Sequence, residues 1–153
     1  MGPVIITAAA RDRDNVASVC IALGRKLSSD RGTLTTFVSP QRAARLVDDV
    51  REHGAIAAVF CEPPSHRTLQ VKGDDAMVRG ADDGDCAAYR YYVGALIPPL
   101  ERFGHTQAYT RTMLSLSDSL MAIVFTPSAA FLQTPGPRAG TVARGGDIPE
   151  AGR

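Results

Sequence analysis

The sequence has no tryptophan and few other aromatic residues, which limits the ligands that it can stack against. Its 153 residues include 5 Phe and 4 Tyr, so that aromatic residues make up 6% of the chain. A surface that binds single-stranded nucleic acid by stacking needs more aromatic side chains than this. An excess of charge of one sign is also missing, because 17 basic and 16 acidic residues leave a formal net charge of +1. The composition therefore excludes a strongly basic nucleic-acid-binding protein.

Cysteine is scarce, and no long hydrophobic run is present. The 3 cysteines, Cys20, Cys61 and Cys86, are odd in number and widely spaced, which excludes a disulfide ladder and a zinc-site spacing. Cys20 and Cys61 lie in apolar runs, where we expect buried, reduced thiols. No signal peptide is predicted, and no run reaches the ~20 apolar residues of a membrane helix. We therefore expect a cytoplasmic protein without membrane contacts.

Several catalytic motifs are absent from the sequence. There is no glycine-rich dinucleotide motif, no P-loop and no Gly-x-Ser-x-Gly elbow, which argues against a Rossmann cofactor site, an NTPase and an α/β-hydrolase. No two of the 3 histidines have the spacing of metal ligands. No metal site is predicted, and no catalytic residue is assigned.

Short segments rich in β-branched residues predict a mainly β fold. A chain of 153 residues typically forms one domain around one core. Ala55–Cys61 is apolar almost throughout, as expected of a strand buried on both faces. Polar residues at Asp12–Asn15 and Ser28–Gly32 suit hairpin turns. The predicted strands are Val4–Ala8, Val16–Leu23, Thr33–Val38, Ala55–Cys61, Arg67–Lys72, which Ala76–Val78 extends past Gly73, and Leu120–Thr126.

Two or three helices are predicted between these strands. The first covers Pro40–His53, with Ser39 as its N-cap and Gly54 just past its end. Its apolar stripe consists of Ala43, Leu46, Val47 and Val50. The second covers Gly84–Ile97, is capped by Asp82 or Asp83, and is stopped or kinked by Pro98 and Pro99; a short third helix covers Thr106–Leu114.

The predicted order of elements is β-β-β-α-β-β-α-β. Helices separate the strands too rarely for a doubly wound parallel sheet. The pattern favours a small antiparallel β-barrel with α-helices packed outside. We expect this domain to span residues 1–140, and the Pro- and Gly-rich residues 141–153 to form a flexible C-terminal tail.

The charges of the first helix are reversed with respect to its dipole. Arg42 and Arg45 lie near its positive N-terminal end, whereas Asp48, Asp49 and Glu52 lie towards its negative end. An anion bound at the helix N-terminus would compensate, and Ser39 and Gln41 would add hydrogen-bond donors there. The sequence therefore indicates a phosphate site. The alternative is a solvated helix face on which Arg45 contacts Asp48 and Asp49.

A row of polar side chains follows the strand Arg67–Lys72. Thr68, Gln70 and Lys72 point to the same side of this strand. Such a row either lines a ligand groove or faces water. The amide of Gln70 has both a donor and an acceptor for the edge of a heterocycle.

Several segments resemble one family. The strand AIAAVFC with the following EPPSHRTLQVKG, the preceding TLTTFVSPQRAARLVDDVREHG and the closing FTPSAAFLQTPGPRAG resemble the pyridoxamine 5′-phosphate oxidase-related proteins, over about residues 3–140. The resemblance implies a six-stranded antiparallel FMN-binding split barrel that forms a homodimer with two flavin sites across its interface. It also implies that Thr36, Ser39, Gln41, Arg42 and Arg45 hold the FMN phosphate, and that Gln70 and Lys72 lie near the flavin.

Two departures from the family bear on function. The chain has Asp14-Asn15-Val16 where the common pattern has a Gly-x-Pro turn, and the C-terminal Arg-x-His segment of the pyridoxamine phosphate oxidases is missing. The substrate is therefore not expected to be a vitamin B6 phosphate. The resemblance implies a flavin-dependent oxidoreductase of unknown substrate. The alternative is a non-enzymatic binding module for a flavin, a deazaflavin or haem.

Overall fold

The computed structural model describes residues 2–116 and 119–144, which form nine strands and three helices. The strands are β1 (Ile5–Arg11), β2 (Ala17–Ala22), β3 (Arg25–Leu27), β4 (Leu34–Val38), β5 (Ile56–Cys61), β6 (Thr68–Gly73), β7 (Met77–Gly80), β8 (Met121–Phe125) and β9 (Ala129–Leu132). The helices are α1 (Ala44–His53), α2 (Asp83–Glu101) and α3 (Gln107–Met113).

The strands form two antiparallel sheets. One has the order β2-β1-β5-β6-β9 and the other the order β3-β4-β8-β7. A mainly β, antiparallel fold with helices is therefore confirmed. The predicted single barrel of six strands is not confirmed, because the nine strands of the described residues belong to two separate sheets.

Both predicted hairpin turns are confirmed. Between β1 and β2, the Asp12 carboxylate accepts the N–H groups of Asp14 and Val16, at 2.9 and 2.8 Å, which closes the turn. Between β3 and β4, the Ser28 N–H donates to the Thr33 carbonyl at 2.9 Å.

The chain passes from the five-stranded to the four-stranded sheet at two glycines. Gly24 follows β2 with a φ of +144° and leads into β3. Gly73 ends β6, where a Cβ atom would lie only 2.5 Å from Phe125 Cδ2. The prediction that residues 76–78 extend the preceding strand is wrong. After Gly73 the chain leaves the five-stranded sheet. Residues 77–80 form β7, which pairs with β8 in the four-stranded sheet.

The core lies between the two sheets and under the helices. Apolar side chains that point inwards from both sheets and from α1 and α2 fill it, as the alternation of buried and half-buried residues along β1 and β5 requires. Ala43, Leu46, Val47 and Val50 are all buried, which confirms the predicted stripe of α1. The largest fully buried side chains include Ile6, Leu23, Phe37, Leu46, Leu96, Leu114, Ile123 and Phe125.

Helix α1 begins four residues later than predicted. Its N-cap is Ala43, which makes no side-chain capping bond, so that the assignment of Ser39 as N-cap is wrong. Residues 40–43 form a turn that is closed by the Ala43 N–H and the Ser39 carbonyl at 2.9 Å. The predicted end is confirmed, since Gly54 has a φ of +66° and donates to the Val50 carbonyl.

Helix α2 continues past its two prolines to Glu101. The predicted stop at Pro98 and Pro99 is wrong. A proline at position 98 leaves the carbonyl of Gly94 without its helical donor, but Gly94 is exposed and water can satisfy that oxygen. Asp82 is the N-cap and forms a capping box with Asp85. Of the two predicted candidates, Asp82 and Asp83, the cap is therefore Asp82. The third helix is confirmed as α3.

A single buried carboxylate joins the two edges of the four-stranded sheet. Strands β3 and β7 are these edges. Asp85 of α2 is fully buried and accepts hydrogen bonds from Lys26 Nζ on β3 and from Arg79 Nη1 on β7, both at 2.5 Å. Its Oδ2 also accepts the Asp82 N–H at 3.1 Å. We call Asp85, Lys26 and Arg79 the Asp85 hub.

The three cysteines are free thiols, as predicted. Cys20 and Cys61 are half-buried rather than buried. Cys61 lies on the partly exposed face of the five-stranded sheet, whereas Cys20 packs against the core from the edge strand β2. Burial raises the pKa of Cys20 to about 11, which keeps this thiol protonated and unreactive near neutral pH.

Part of the predicted C-terminal tail packs on the domain. Thr141 accepts the Leu132 N–H through its carbonyl at 2.9 Å, and Val142 forms a bridge with Phe131. Residues 145–153 lie outside the described residues, and the boundary at residue 140 stays a prediction. Within residues 2–116 and 119–144, none of the helices has the length and apolar character that crossing a membrane requires.

Candidate functional site

The end of β4 carries two buried hydroxyl groups. Thr36 pairs with Arg25 of β3 across the sheet and is fully buried, and Ser39 follows β4 and is 2% exposed. Within the part of the chain that the structure describes, neither Thr36 Oγ1 nor Ser39 Oγ has a hydrogen-bond partner. A buried polar group without a partner costs about 1–3 kcal/mol. Each of these two hydroxyls is therefore suited to bond a ligand.

Arg42 lies on the turn between β4 and α1 and contacts the end of α3. Its Nη1 donates to the Met113 carbonyl at 2.7 Å, and its Nη2 donates to Ser115 Oγ at 3.2 Å. Arg42 and the neighbouring Gln41 are both exposed. Because a guanidinium has five N–H donors, these two bonds leave donors for an anion.

Arg45 pairs with an acid from the β1–β2 turn. Its Nη2 lies 2.9 Å from Asp12 Oδ2. The Val16 N–H, together with Arg45 and the Asp14 N–H, holds the pKa of Asp12 below its usual value. The charge of Arg45 is thus balanced within the protein. Contacts of Arg45 with Asp48 and Asp49 were the alternative, but Asp48 pairs with Arg51 at 3.7 Å and Asp49 accepts the Ser18 hydroxyl at 2.5 Å.

Gln70 and Lys72 lie on the five-stranded sheet, on the side that faces away from the core. We call this side the outer face. Gln70 accepts a long hydrogen bond from Gln133 Nε2 at 3.4 Å, and Lys72 Nζ lies 5.0 Å from the centroid of the Phe131 ring. Lys72 also lines a cavity of about 320 Å³ together with Arg11 and Asp74.

The structure therefore divides the predicted residues into two groups. Ser39, Gln41 and Arg42 lie in the connection between β4 and α1, with Arg45 in α1 just after it and Thr36 in the middle of β4. Gln70 and Lys72 belong to the other sheet.

Reasoning from the sequence missed a second cavity, which we call the Arg25 cavity. It has a volume of about 360 Å³ and lies between the start of β1, β3 and α2. The Arg25 guanidinium is half-buried and lies 5.9 Å from the centroid of the Phe60 ring. Among the described residues, no carboxylate pairs with Arg25. The lining includes Val4, Arg25, Ala88, Tyr91, Tyr92 and Ala95.

The electrostatics of the Arg25 cavity suit an anion with an apolar or aromatic body. Burial raises the pKa of Tyr92 well above its usual value, so that its hydroxyl stays protonated. Tyr91 is 79% exposed at the rim, where a large aromatic side chain without a partner can cover a ligand. Tyr89, on the same helix, instead donates to the Leu114 carbonyl at 2.8 Å.

The sequence carried little signal for this cavity. Strand β3 has only three residues and follows Gly24, so that no alternation of polar and apolar residues marks Arg25 as inward-pointing. The usable signal was its place in the hairpin: the turn Ser28–Gly32 sets a register in which Arg25 pairs with Thr36.

Comparison with known proteins gives structural but not sequence matches. No family model matches the chain, and no curated protein matches it in sequence. The solved structure of HupZ from Group A Streptococcus superposes with a TM-score of 0.51 and 13% identity, over 90% of this chain and 90% of that chain. At this identity the similarity establishes the fold, which is that of HupZ.

Two further structures are similar at a lower level. One is a pyridoxamine 5′-phosphate oxidase-related, FMN binding protein from Nostoc punctiforme, with a TM-score of 0.49 and 10% identity over 88% of this chain and 76% of that chain. The other is HutZ, the haem storage protein from Vibrio cholerae, with a TM-score of 0.47 and 13% identity over 84% of each chain. The structures that match this chain thus include a pyridoxamine 5′-phosphate oxidase-related protein, the family that segments of the sequence resemble.

The residues of the β4–α1 junction fit the FMN that this resemblance implies. The fit rests on Thr36 Oγ1 and Ser39 Oγ, which are buried, polar and without a partner in the described residues. Gln41 and Arg42 are exposed beside them. Arg45 fits less well, because Asp12 already balances its charge.

Proposed function

We propose that this protein is an FMN-binding split barrel, formed by its two sheets, that acts as a flavin-dependent oxidoreductase on an anionic substrate. The observation that carries the proposal is the pair of buried hydroxyls of Thr36 and Ser39, which have no partner among the described residues. Ser39 belongs to the strand–helix connection that also carries Gln41 and Arg42, and Thr36 lies on the strand that leads into it. A connection that leads into a helix N-terminus is a kind of position where proteins bind phosphate.

Each residue has a separate part in the proposed site. The hydroxyls of Thr36 and Ser39 and the guanidinium of Arg42 would donate to the FMN phosphate, while Arg45 would add positive charge that Asp12 attenuates. Gln70 and Lys72 would lie beside the ring system. When bound, the flavin supplies hydride or electron transfer, so that the protein itself needs to bind, orient and shield the reactants.

We place the anionic group of the substrate in the Arg25 cavity. A half-buried guanidinium without a carboxylate is compensated when an anion binds, and the Tyr92 hydroxyl can donate to the same group. Tyr91 at the rim would cover an apolar or aromatic part of the substrate.

We further propose that two copies pair through the outer face of the five-stranded sheet. One row across this face runs through Ile21, Thr7, Val59, Gln70 and Phe131, as the strand register shows. Val19 and Ile21 at its edge are 62% and 47% exposed, which is unusual for apolar residues in the middle of a strand. A second copy would bury this face and bring its own residues close to Gln70 and Lys72.

An FMN titration with matched variants tests the proposal. The variant Thr36→Val removes the hydroxyl and keeps the shape of the side chain. We expect it to weaken FMN binding by about 10- to 100-fold, since a hydrogen bond to a charged group contributes about 1.5–3 kcal/mol. Thr110→Val is the control, because Thr110 Oγ1 on α3 is equally buried and also lacks a partner among the described residues.

Absorbance, flavin fluorescence and calorimetry would follow the titration. Wild-type protein that takes up no FMN, or equal losses in both variants, would overturn the FMN site. A deazaflavin that binds more tightly than FMN would change the cofactor, and a Soret band after addition of haem would favour haem binding. FMN binding without oxidation of reduced nicotinamide cofactors in the presence of oxygen or artificial electron acceptors would favour the non-enzymatic module.

A further inference from the structure

Two of the elements that line the Arg25 cavity, β3 and α2, are not paired with each other through the backbone. Arg25 comes from β3, an edge strand of three residues whose ladder runs along β4 alone. Ala88, Tyr91 and Tyr92 come from α2. The width of the cavity is therefore set by whatever holds β3 against α2.

Two contacts hold these elements together, one on each side of Arg25. At Gly24, a Cβ atom would lie 3.4 Å from Tyr92 Cβ, so that glycine allows α2 to pack closely there. At Lys26, the side chain reaches Asp85 in the first turn of α2 at 2.5 Å. Arg25 lies between these two anchored positions.

The second contact is the stronger constraint because its carboxylate is buried. Asp85 is fully buried, whereas Lys26 and Arg79 are each 40% exposed. Without the carboxylate, both cations can turn towards solvent, and the second anchor of β3 on α2 is lost. The packing at Gly24 would remain, so that the strand could pivot about that residue.

We propose, on the basis of the proposed substrate role of the Arg25 cavity, that Asp85 is a positioning residue for this cavity. It acts through Lys26, whose ion pair holds β3 so that the Arg25 guanidinium faces Tyr91 and Tyr92. Asp85 itself does not contact the ligand. The bond of Asp85 to Arg79 ties the opposite sheet edge to the same point and has a smaller influence on Arg25.

Phenyl phosphate is a suitable probe, because it combines an anionic group with an aromatic ring and its binding requires no flavin. Calorimetry would give its dissociation constant for the full-length protein. We expect Arg25→Gln to abolish binding. We expect Asp85→Asn and Lys26→Met to weaken it by about tenfold each, since small displacements of a binding group have effects of this size or larger. The double variant should bind no more weakly than either single variant.

A matched control separates positioning from general destabilisation. Asp49 is also a buried carboxylate that joins two elements, since it accepts the Ser18 hydroxyl between α1 and β2. Asp49→Asn should lower the midpoint of urea unfolding and leave the affinity for phenyl phosphate unchanged. Arg79→Met should weaken binding less than Lys26→Met does. Should Asp85→Asn fail to fold, Lys26→Met still tests the proposal.

The outcomes distinguish this inference from the proposed function. If Arg25→Gln binds phenyl phosphate as tightly as the wild type, the substrate role of the cavity is wrong. If Arg25→Gln abolishes binding but folded Asp85→Asn and Lys26→Met retain wild-type affinity, the positioning role of Asp85 is wrong. Additive losses in the double variant, or an equal loss in Asp49→Asn, would also overturn it.

Discussion

At the scale of single residues, the buried polar groups of this chain fall into two kinds. Asp85 and Asp49 have partners for their charges, in Lys26 and Arg79 and in the Ser18 hydroxyl. The hydroxyls of Thr36, Ser39, Tyr92 and Thr110 have none among the described residues. Because proteins rarely leave buried groups unpaired, those of the second kind that belong to a candidate site, such as Thr36 and Ser39, are suited to bond a ligand.

Removing an unpaired hydroxyl should stabilise the ligand-free protein. Thr36→Val replaces the hydroxyl with a methyl group of similar shape, so that the desolvation cost is relieved without a cavity. We expect the free energy of unfolding to rise by about 1 kcal/mol, measured by urea denaturation in the absence of FMN. A loss of stability instead would mean that the hydroxyl bonds to a buried water and that the site is already satisfied.

The Asp85 hub should make the free energy of unfolding fall as the solution becomes acidic. Burial alone would raise the pKa of Asp85, but hydrogen bonds from Arg79 and Lys26 outweigh it and lower the pKa to about 2, from an ordinary value of 3.8. A carboxyl whose pKa is lower in the folded state stabilises the fold above its unfolded pKa. This contribution is therefore complete above about pH 5 and is lost as the pH falls from about 4 to about 2.

Asp85→Asn should remove this part of the acid sensitivity. Urea denaturation of both proteins between pH 2 and pH 7 would show the wild type approaching the variant as the pH falls. At neutral pH we expect the variant to be less stable by about 3 kcal/mol, the usual cost of removing one partner from a buried ion pair. Parallel curves for the two proteins in the acid range would contradict the assignment.

At the scale of elements, α1 shows which features decide where a helix ends. Gly54 closes the helix in a left-handed conformation, and its Cα lies so close to Asp74 that a Cβ atom would be 2.9 Å from the Asp74 carbonyl oxygen. This one residue therefore both ends α1 and allows the chain before β7 to pass beside it.

Replacement of Gly54 by alanine should be costly. A left-handed conformation costs a residue with a side chain about 1–2 kcal/mol, and the contact with Asp74 adds to this, so that we expect a loss of about 2 kcal/mol or more. Gly94→Ala is the control: Gly94 lies inside α2, and a Cβ atom there would have no neighbour within 4 Å. That change should stabilise the protein by about 0.5–1 kcal/mol. Urea denaturation measures both.

The elements that sequence patterns predicted are those with enough residues to show a period. The six predicted strands and the predicted helices are present in the structure, among them the apolar strand β5 and α1 with its apolar stripe. Strands β3, β7 and β9 were not predicted as separate elements, because they have only three or four residues and follow bends near Gly24, Gly73 and Thr126. The predicted start of α1 was wrong because Ser39 followed by Pro40 has the composition of a helix N-terminus, whereas residues 40–43 form a turn before the helix.

At the scale of the whole molecule, the exposed apolar outer face predicts association. We expect sedimentation equilibrium to give about twice the chain mass of 16.2 kDa. Replacement of both Val19 and Ile21 by glutamate should produce a monomer, because charges on this face cannot be buried without partners. Met77→Glu is the control, since Met77 is 70% exposed on β7 of the other sheet and should leave the dimer intact. A monomeric wild type would contradict the proposed interface.

The candidate site was predictable only where its residues are close together in the sequence. Ser39, Gln41 and Arg42 are close in the sequence, so that one strand–helix connection carries all three, and Thr36 lies on the strand before it. The Arg25 cavity depends on the packing of α2 against β3, and residues 25 and 92 are brought together by the close approach at Gly24. Such a contact between distant segments leaves no local pattern in a single sequence.

The Asp85 hub also affects how the edges of the four-stranded sheet avoid pairing with a strand of another molecule. Unpaired edge strands invite a neighbouring molecule to add a strand, and lysine or arginine on an edge discourages this. Here Lys26 and Arg79 place a positive charge on each edge, and one carboxylate holds both. Protonation of that carboxylate would untie both edges from α2 at once, while Lys26 and Arg79 keep the positive charges that discourage strand addition, so that acid should loosen β3 and β7 without exposing uncharged edges.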